Sequence, residues 1–280
     1  MIIDTHTHFY DPARPEGVPW PPKDNELLYR TVLPQAYKDV AIPEGITGTV
    51  VVEASNRLED NQWILDLADQ EPFVVGFVGH VEPGDDAFAR HLTRFAADPR
   101  FCGIRCGAGY FLEPPTARFL TDVQNLAERG LVLDVLVRLA QLDNVIAVAK
   151  ALPSLRIVVN HIAHMPIDGG SVARNWQDAY RRLAAEPEIR MKVSALPEQC
   201  TVQPAPSTTE VYHPTLDVLW ATFGEDRLIY GSNWPVCERA GTFEIGINAC
   251  KAYLEDKGDA AYEKFFHQNA ANAYRWPNAL

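Results

Sequence analysis

The sequence begins "MIIDTHTHFYDPARP" at residues 1–15, where a short apolar run stops at two histidines, His6 and His8. In a β-strand, residues two apart point to the same face, so both imidazoles would project together from the end of the strand. That arrangement suits a metal ion or a clustered acid–base site. The stretch alone leaves a simpler interpretation open, two solvated histidines at a polar strand end, because two-residue patterns recur by chance.

Eight short runs of aliphatic and β-branched residues, the first at 1–6, predict eight β-strands. Between them lie segments with apolar residues at three- and four-residue spacing, which is typical of amphipathic helices. Most of the runs are apolar on both faces, as expected of parallel strands covered by helices. The other seven runs are 47–54, 73–80, 101–106, 131–137, 156–161, 189–195 and 227–232.

The alternation of strands and helices predicts an α/β protein, a single (β/α)8 TIM barrel over residues 1–280, with an open doubly wound sheet as the alternative. Links from a helix to the next strand are short, whereas several links that leave a strand are long and polar. Function in such barrels resides on the βα loops at the C-terminal face. The long loops therefore mark the expected working face.

The composition limits the kinds of partner. The chain carries 37 acidic and 25 basic residues, a formal net charge of −12, which argues against nucleic acid or an anionic membrane and favours a small-molecule substrate. No run reaches the roughly 18 apolar residues of a membrane-spanning helix. The five cysteines are odd in number and contain no CxxC pair, so we expect reduced thiols and a cytoplasmic location.

Polar residues end most of the predicted strands, and closure of the barrel would place them around one mouth. His161 ends an apolar run, where a polar group needs partners, so it is either a ligand or acid–base group or a satisfied structural histidine. Arg105 offers a planar fork of donors to a substrate carboxylate, with an internal ion pair as the alternative. The ring is His6, His8, Glu53, His80, Arg105, Asp134, His161, Ser194, Ser232 and Asn233.

Some residues in this ring and its loops have a structural interpretation at least as strong as a functional one. Trp20 and Trp234, with Tyr10, are candidates for an apolar lid over the substrate, although loop aromatics often act only as packing anchors. His80 is a candidate substrate contact with an equal structural alternative. Asp134 lies in the middle of its run and is expected to be a buried, hydrogen-bonded structural carboxylate.

A divalent metal, zinc first, would suit His6, His8 and His161, because neutral imidazoles are ordinary zinc ligands. Bound metal lowers the pKa of its water towards about 7 and polarises a carbonyl, which permits hydrolysis at neutral pH. Without a metal, the same histidines could polarise a carbonyl and relay protons. The sequence does not choose between the two.

The segments "IDTHTHFYDP", "LEDNQWILDLAD", "GIR", "LVLDVLV", "LPSLRIVVNHIAHMP", "RLIYGSNWPV" and "NAANAY" occur in this order over nearly the whole chain. Together they resemble the amidohydrolase superfamily, and within it a branch of lactone hydrolases. The resemblance implies a distorted (β/α)8 barrel with a hydrolytic site at its C-terminal mouth. It also implies that His6, His8 and His161 are the site histidines and that Arg105 holds the carboxylate or hydroxyls of the substrate. Some members of this branch bind zinc, and others act on lactones without a required metal.

Asn233 departs from the family pattern, which usually reads GSDWP where this chain reads "GSNWP". An amide cannot take up a proton near neutral pH, so this residue can orient water but cannot activate it. Another group must then act as the base. Glu53 is the first candidate, followed by metal-bound hydroxide or a histidine.

The leading hypothesis is the hydrolysis of a small lactone of a sugar acid or a carboxylated ring. His6, His8 and His161 would polarise the carbonyl, Arg105 would anchor the substrate, and Asn233 and Glu53 would position and activate water. Two alternatives remain, a metal-dependent decarboxylase of the same superfamily and a catalytically silent sugar-acid binding protein. Assembly into a homo-oligomer is left open.

Overall fold

The computed structural model describes residues 1–277, in which eight parallel strands form one sheet in chain order. This confirms the eight-strand prediction, and each strand begins within one residue of its predicted start. The last three positions of the predicted 1–280 domain lie outside the described residues. The strands are β1 (Ile2–Thr7), β2 (Ile46–Val52), β3 (Val74–Gly79), β4 (Phe101–Gly107), β5 (Val132–Leu136), β6 (Arg156–Val159), β7 (Ile189–Val193) and β8 (Leu228–Tyr230).

A helix follows each strand, and two shorter helices end the described chain. The apolar faces of these helices pack on the outward side chains of the strands and form the larger part of the core. The helices are α1 (Pro34–Ala41), α2 (Leu58–Gln70), α3 (Phe88–Phe95), α4 (Ala117–Glu128), α5 (Leu142–Ala151), α6 (Arg174–Ala184), α7 (His213–Phe223), α8 (Glu244–Leu254), α9 (Asp259–Glu263) and α10 (Asn269–Tyr274).

The barrel closes where the chain beyond β8 meets β1. His8 N–H donates to the Trp234 carbonyl at 2.9 Å, and Asn233 N–H donates to the His6 carbonyl at 2.8 Å. A parallel bridge between Thr7 and Trp234 continues this contact. The (β/α)8 barrel is thus confirmed, and the open doubly wound sheet is wrong.

The buried carboxylate of Asp4 holds the same junction from the outside. It accepts hydrogen bonds from His6 N–H at 3.0 Å, from Ser232 N–H at 2.8 Å and from the Tyr37 hydroxyl at 2.7 Å. Tyr37 belongs to α1, so one side chain connects the first strand, the end of the last strand and the outer layer. A buried carboxylate is tolerated because several donors satisfy it.

A register shift distorts β1 near its C-terminal end. The pairing of β1 with β2 slips between Asp4 and Thr7. Ile3 packs in the inner core, whereas Asp4 contacts the helical layer. After the slip, His6 and His8 both lie on the inner side, at the mouth of the barrel. This local irregularity places the histidine pair.

The opposite end of the barrel interior is filled by α10. Tyr274 on this helix directs its hydroxyl to the Asp134 carboxylate at 3.1 Å. Asp134 in turn forms an ion pair with Lys192, whose Nζ lies 2.8 Å from Oδ2, and both side chains are fully buried. The interior therefore combines an apolar cluster with a few buried polar contacts, and Asp134 is the buried carboxylate that its sequence position predicts.

The chain leaves β6 through a left-handed turn. His161, Ile162, Ala163 and His164 have φ angles of 54°, 48°, 54° and 58°. Such angles cost L-residues about 1–2 kcal/mol each, so neighbouring groups must hold the turn. The Tyr180 hydroxyl on α6 does so by donating to the Ile162 carbonyl at 2.7 Å.

The predictions about the cysteines and about membrane-spanning helices can be compared with the described residues. All five cysteines are free and buried. Between residues 1 and 277, every helix is too short or too polar to traverse a lipid bilayer.

We expect Gly103→Ala to destabilise the barrel, because a β-carbon at Gly103 would overlap the Val132 carbonyl on the neighbouring strand. Overpacking of this kind lowers the free energy of unfolding by roughly 1–3 kcal/mol. Gly107→Ala on the same strand is the control, since a β-carbon there meets no atom within 4 Å. Urea unfolding midpoints measure the difference, and equal midpoints for the two variants would contradict the prediction.

Candidate active site

An open cavity of about 960 Å³ occupies the C-terminal mouth of the barrel. The long βα loops surround it, as the sequence predicts. Its wall combines imidazoles, an amide, carboxylates and guanidinium groups. Among the residues that border it are His8, Trp20, Glu53, Arg105, His161, Glu198 and Asn233.

Three histidines come together at the floor of this cavity. The ring centroid of His6 lies 5.0 Å from that of His8 and 4.3 Å from that of His161. His8 and His161 border the cavity, whereas His6 lies beneath them and is fully buried. Burial lowers the pKa of His8 to about 3 and holds the pKa values of His6 and His161 well below the ordinary value. All three imidazoles are therefore neutral at pH 7.

The hydrogen bonds of His8 and His6 determine where their protons reside. His8 Nδ1 lies 2.9 Å from the Val52 carbonyl, which only accepts, so Nδ1 carries the proton and Nε2 is unprotonated, with Asn233 Oδ1 3.3 Å away. His6 Nδ1 lies 3.3 Å from Lys192 Nζ, and an ammonium only donates, so the proton of His6 is on Nε2. Among residues 1–277, nothing accepts a hydrogen bond from this buried Nε2.

His161 is fixed by Ser194 at the end of β7. The Ser194 hydroxyl oxygen accepts from His161 N–H at 3.2 Å and lies 2.8 Å from His161 Nδ1. When the hydroxyl donates its own proton to Nδ1, the imidazole carries its proton on Nε2. His161 then has an N–H available for a group in the cavity.

The tautomers decide whether these histidines fit a metal ion. His8 has the right tautomer, because its Nδ1–H is held by a backbone carbonyl and its Nε2 is unprotonated, as in many metal sites. His6 does not fit, because Lys192 keeps the proton on the nitrogen that would have to bind the metal. No group of three histidine, cysteine, aspartate or glutamate side chains between residues 1 and 277 has the geometry of a metal site. As arranged, the donor set does not form one.

Asn233 connects His8 to an acidic residue that the sequence reasoning missed. Its Oδ1 lies 3.3 Å from His8 Nε2, and its Nδ2 donates to Glu198 Oε1 at 2.8 Å. Glu198 lies on the short turn that follows β7. Burial raises the pKa of Glu198 to about 7. The sequence did offer one signal for Glu198, because it is the first ionisable residue after the predicted strand at 189–195.

Glu53 and Arg105 form an ion pair on one side of the cavity. Arg105 Nε donates to Glu53 Oε1 at 2.8 Å, and its second terminal nitrogen donates to the Glu53 carbonyl at 2.8 Å. This contact orients the Arg105 guanidinium. It also occupies one oxygen of Glu53, the residue that the sequence favours as the base. That role for Glu53 stays a prediction, but the structure gives the side chain a competing partner.

Two residues predicted to contact the substrate do not border the cavity. His80 Nε2 lies 3.1 Å from a Glu82 carboxylate oxygen outside the mouth. Trp234 is buried against Tyr37, with ring centroids 5.2 Å apart, and its Nε1 donates to Glu238. Their positions favour structural roles, because neither faces the open space.

Trp20 does border the cavity. Its ring centroid is 5.8 Å from that of His8 and 5.4 Å from that of Tyr10. The Tyr10 hydroxyl donates to the Leu28 carbonyl, so Tyr10 anchors Trp20 from behind. This pair forms one aromatic wall beside the histidines.

An amidohydrolase family model matches residues 3–276. An L-fucono-1,5-lactonase from Burkholderia ambifaria is 32% identical, and the match covers 98% of this chain and 95% of that protein. An L-fucono-1,5-lactonase from Burkholderia multivorans is 27% identical over 99% of this chain and 97% of that protein. The crystal structure of an amidohydrolase from Burkholderia multivorans with bound zinc matches with a TM-score of 0.85 and 24% identity, over 99% of this chain and 100% of that one.

Glu198→Gln should stabilise the protein at alkaline pH. The pKa of about 7 in the folded state exceeds the ordinary 4.5, so the folded state holds more protons between these values and stability falls as pH rises through them. At pH 8 the amide removes a buried charge, a gain of up to about 3 kcal/mol, whereas at pH 5 the gain is small.

Urea unfolding of wild type and variant at pH 5 and pH 8 measures this gain. Glu210→Gln, at an exposed position, is the control and should leave the pH dependence unchanged. A Glu198→Gln variant whose advantage over wild type is the same at both pH values would disprove the effect.

Proposed function

We propose, because the chain belongs to the amidohydrolase family, that it opens a small lactone ring by hydrolysis. One observation carries the proposal: three neutral imidazoles lie together on the floor of an open cavity that also presents Arg105. Neutral N–H donors fixed in place suit a carbonyl that becomes an oxyanion. The lactonase relatives support a lactone as the carbonyl substrate, and an aldonolactone first.

Polarisation of the lactone carbonyl is assigned to the histidine cluster. His161 offers its Nε2–H to the carbonyl oxygen, and the buried Nε2–H of His6, 4.3 Å away between ring centroids, adds its dipole from beneath. Both imidazoles stay neutral, because burial lowers their pKa values. As water adds, negative charge grows on the oxygen, and fixed donors stabilise it more than they stabilise the substrate.

Arg105 and Trp20 are assigned to substrate binding. Arg105 is held by Glu53 and keeps donors for the hydroxyls or carboxylate of a sugar acid. Trp20 offers an apolar face beside His8, which suits the carbon face of a sugar ring. Asn233 borders the same cavity and orients the attacking water through its amide. Together these contacts fix the ring with its carbonyl towards the imidazoles.

A zinc-dependent version of the reaction has support from a relative, because an amidohydrolase of this fold was crystallised with bound zinc. Zinc at His6, His8 and His161 would supply a Lewis acid and an activated water. It would also require the His6 proton to move from Nε2 to Nδ1, against the Lys192 ammonium. We therefore propose the metal-free version for this chain.

The two alternative functions have weaker support. A metal-dependent decarboxylase requires a firmly bound metal, which the contact between His6 and Lys192 opposes. A silent binding protein predicts ligand-induced stabilisation without turnover. The five buried, free thiols support a reducing, cytoplasmic location as a further proposal.

A pH-indicator screen of five- and six-membered aldonolactones tests the function. We expect turnover of one lactone class, and we expect His161→Gln to lower kcat by about 10²–10³-fold through the loss of an oxyanion donor. His91→Gln, on the outer helix α3, is the matched control and should retain full activity. If wild type hydrolyses none of these lactones, or if His161→Gln is as active as wild type, the proposal is wrong.

Metal removal tests the metal-free version. Dialysis against a chelator should leave kcat unchanged, and added zinc should not raise it. The double variant Lys192→Met with Asp134→Asn removes the ammonium together with its counterion, so His6 Nε2 can lose its proton. We expect isothermal calorimetry to show tighter zinc binding by this variant than by wild type, and equally tight binding by both would contradict the tautomer argument.

A further inference from the structure

We propose that Glu198 is the catalytic base that activates the attacking water, an assignment that rests on the proposed lactone hydrolysis. Glu198 borders the cavity beside Asn233, and Trp20 borders the same cavity. The assignment follows from the contacts of Glu198, from the partners that already occupy the other candidate bases and from the charges around Glu198.

The geometry places the Glu198 carboxylate one side chain away from the imidazoles. Asn233 Nδ2 donates to Glu198 Oε1 at 2.8 Å, and Asn233 Oδ1 is 3.3 Å from His8 Nε2. Among the described residues, nothing donates a hydrogen bond to Glu198 Oε2. This oxygen is buried and unpaired, and a water that reached it from the space between Glu198, Asn233 and the histidines would complete its hydrogen bonding.

The other groups in the cavity are poorer proton acceptors. Asn233 is an amide and cannot be protonated near neutral pH. Glu53 accepts a hydrogen bond from Arg105 Nε at 2.8 Å, so this carboxylate already has a charged partner. His8 Nε2 is unprotonated, but burial lowers the pKa of His8 to about 3. Glu198 is therefore the remaining candidate for a proton acceptor in the cavity.

Within the part of the chain that the structure describes, few charges surround Glu198. Arg239 is the cation that faces it, and the nearby Cys200, Tyr212 and Cys237 stay neutral because burial raises their pKa values. Burial of Glu198 outweighs its bond to Asn233 and the Arg239 charge, so its pKa rises to about 7. A carboxylate with this affinity accepts a proton and returns it at neutral pH.

The amide of Asn233 serves both protonation states of the base. When Glu198 is ionised, the NH2 end of the amide donates to it, as the structure shows, while the amide oxygen only faces the unprotonated His8 Nε2 without a hydrogen bond. When Glu198 is protonated, a rotated amide accepts from the carboxylic acid and donates to His8 Nε2. An aspartate at position 233 has no donor when ionised and would repel the ionised Glu198, so the amide suits a base placed at Glu198.

The chemical step balances without any other reactant. The water oxygen bonds to the carbonyl carbon as one of its protons passes to a Glu198 carboxylate oxygen. The tetrahedral intermediate then collapses, the bond between the carbonyl carbon and the ring oxygen breaks, and Glu198 returns the proton to the departing ring oxygen. The product is a hydroxy acid that loses its carboxyl proton to solvent.

Kinetics from pH 5 to pH 9 on the lactone found in the screen test the inference. We expect kcat/KM of wild type to rise with pH through about 7 and then level off. Glu198→Gln should lower kcat by roughly 10²–10⁴-fold with KM changed little, and its profile should lose this rise. The exposed Glu210→Gln is the control and should match wild type throughout.

A second variant separates a catalytic role from a structural one. Glu198→Gln combined with Asn233→Asp exchanges the acid and the amide across the same hydrogen bond, and should recover at least tenfold of the activity lost in Glu198→Gln. A Glu198→Gln variant within threefold of wild type, with the same rise near pH 7, would refute the base while leaving lactone hydrolysis intact. Failure of wild type on every lactone would instead refute the proposed function, and the base with it.

Discussion

A single buried ammonium, that of Lys192, connects three strands across the interior of the barrel. It donates to the Thr5 carbonyl, to the Asp134 carboxylate and to His6 Nδ1, so β1, β5 and β7 meet at one charge. Burial opposes this charge and Asp134 stabilises it, because an interior cation is tolerated only with partners. The same contact sets the tautomer of His6. Packing of the barrel and chemistry at its mouth thus depend on one group.

The fold was predictable because its signals are local. Strands that are apolar on both faces, separated by helical spacing, indicate parallel strands under helices wherever they occur in the chain. The placement of His6 and His8 on one face also follows from the period of a strand, although the register slip before Thr7 was not visible in the sequence. Closure then brings His161 against His6 without any further assumption.

The remainder of the site depends on long-range contacts that the sequence does not encode locally. Lys192 stands in an apolar run, where its charge was a signal, but its partners come from other strands. Glu198 acquires its role only because the turn after β7 folds towards Asn233. The positions of Trp234 and His80 away from the cavity were not predictable for the same reason, since a residue next to a strand end can point into the cavity or away from it.

The left-handed turn at His161–His164 places conformational strain directly under the cavity. Glycine would relax this backbone, but it would remove an imidazole at either end or loosen the segment that aims them. Natural or laboratory selection for heat tolerance and selection for fast turnover should therefore favour different residues at these four positions. The residues at these four positions in a thermophilic descendant of this enzyme would show whether stability or turnover was selected more strongly.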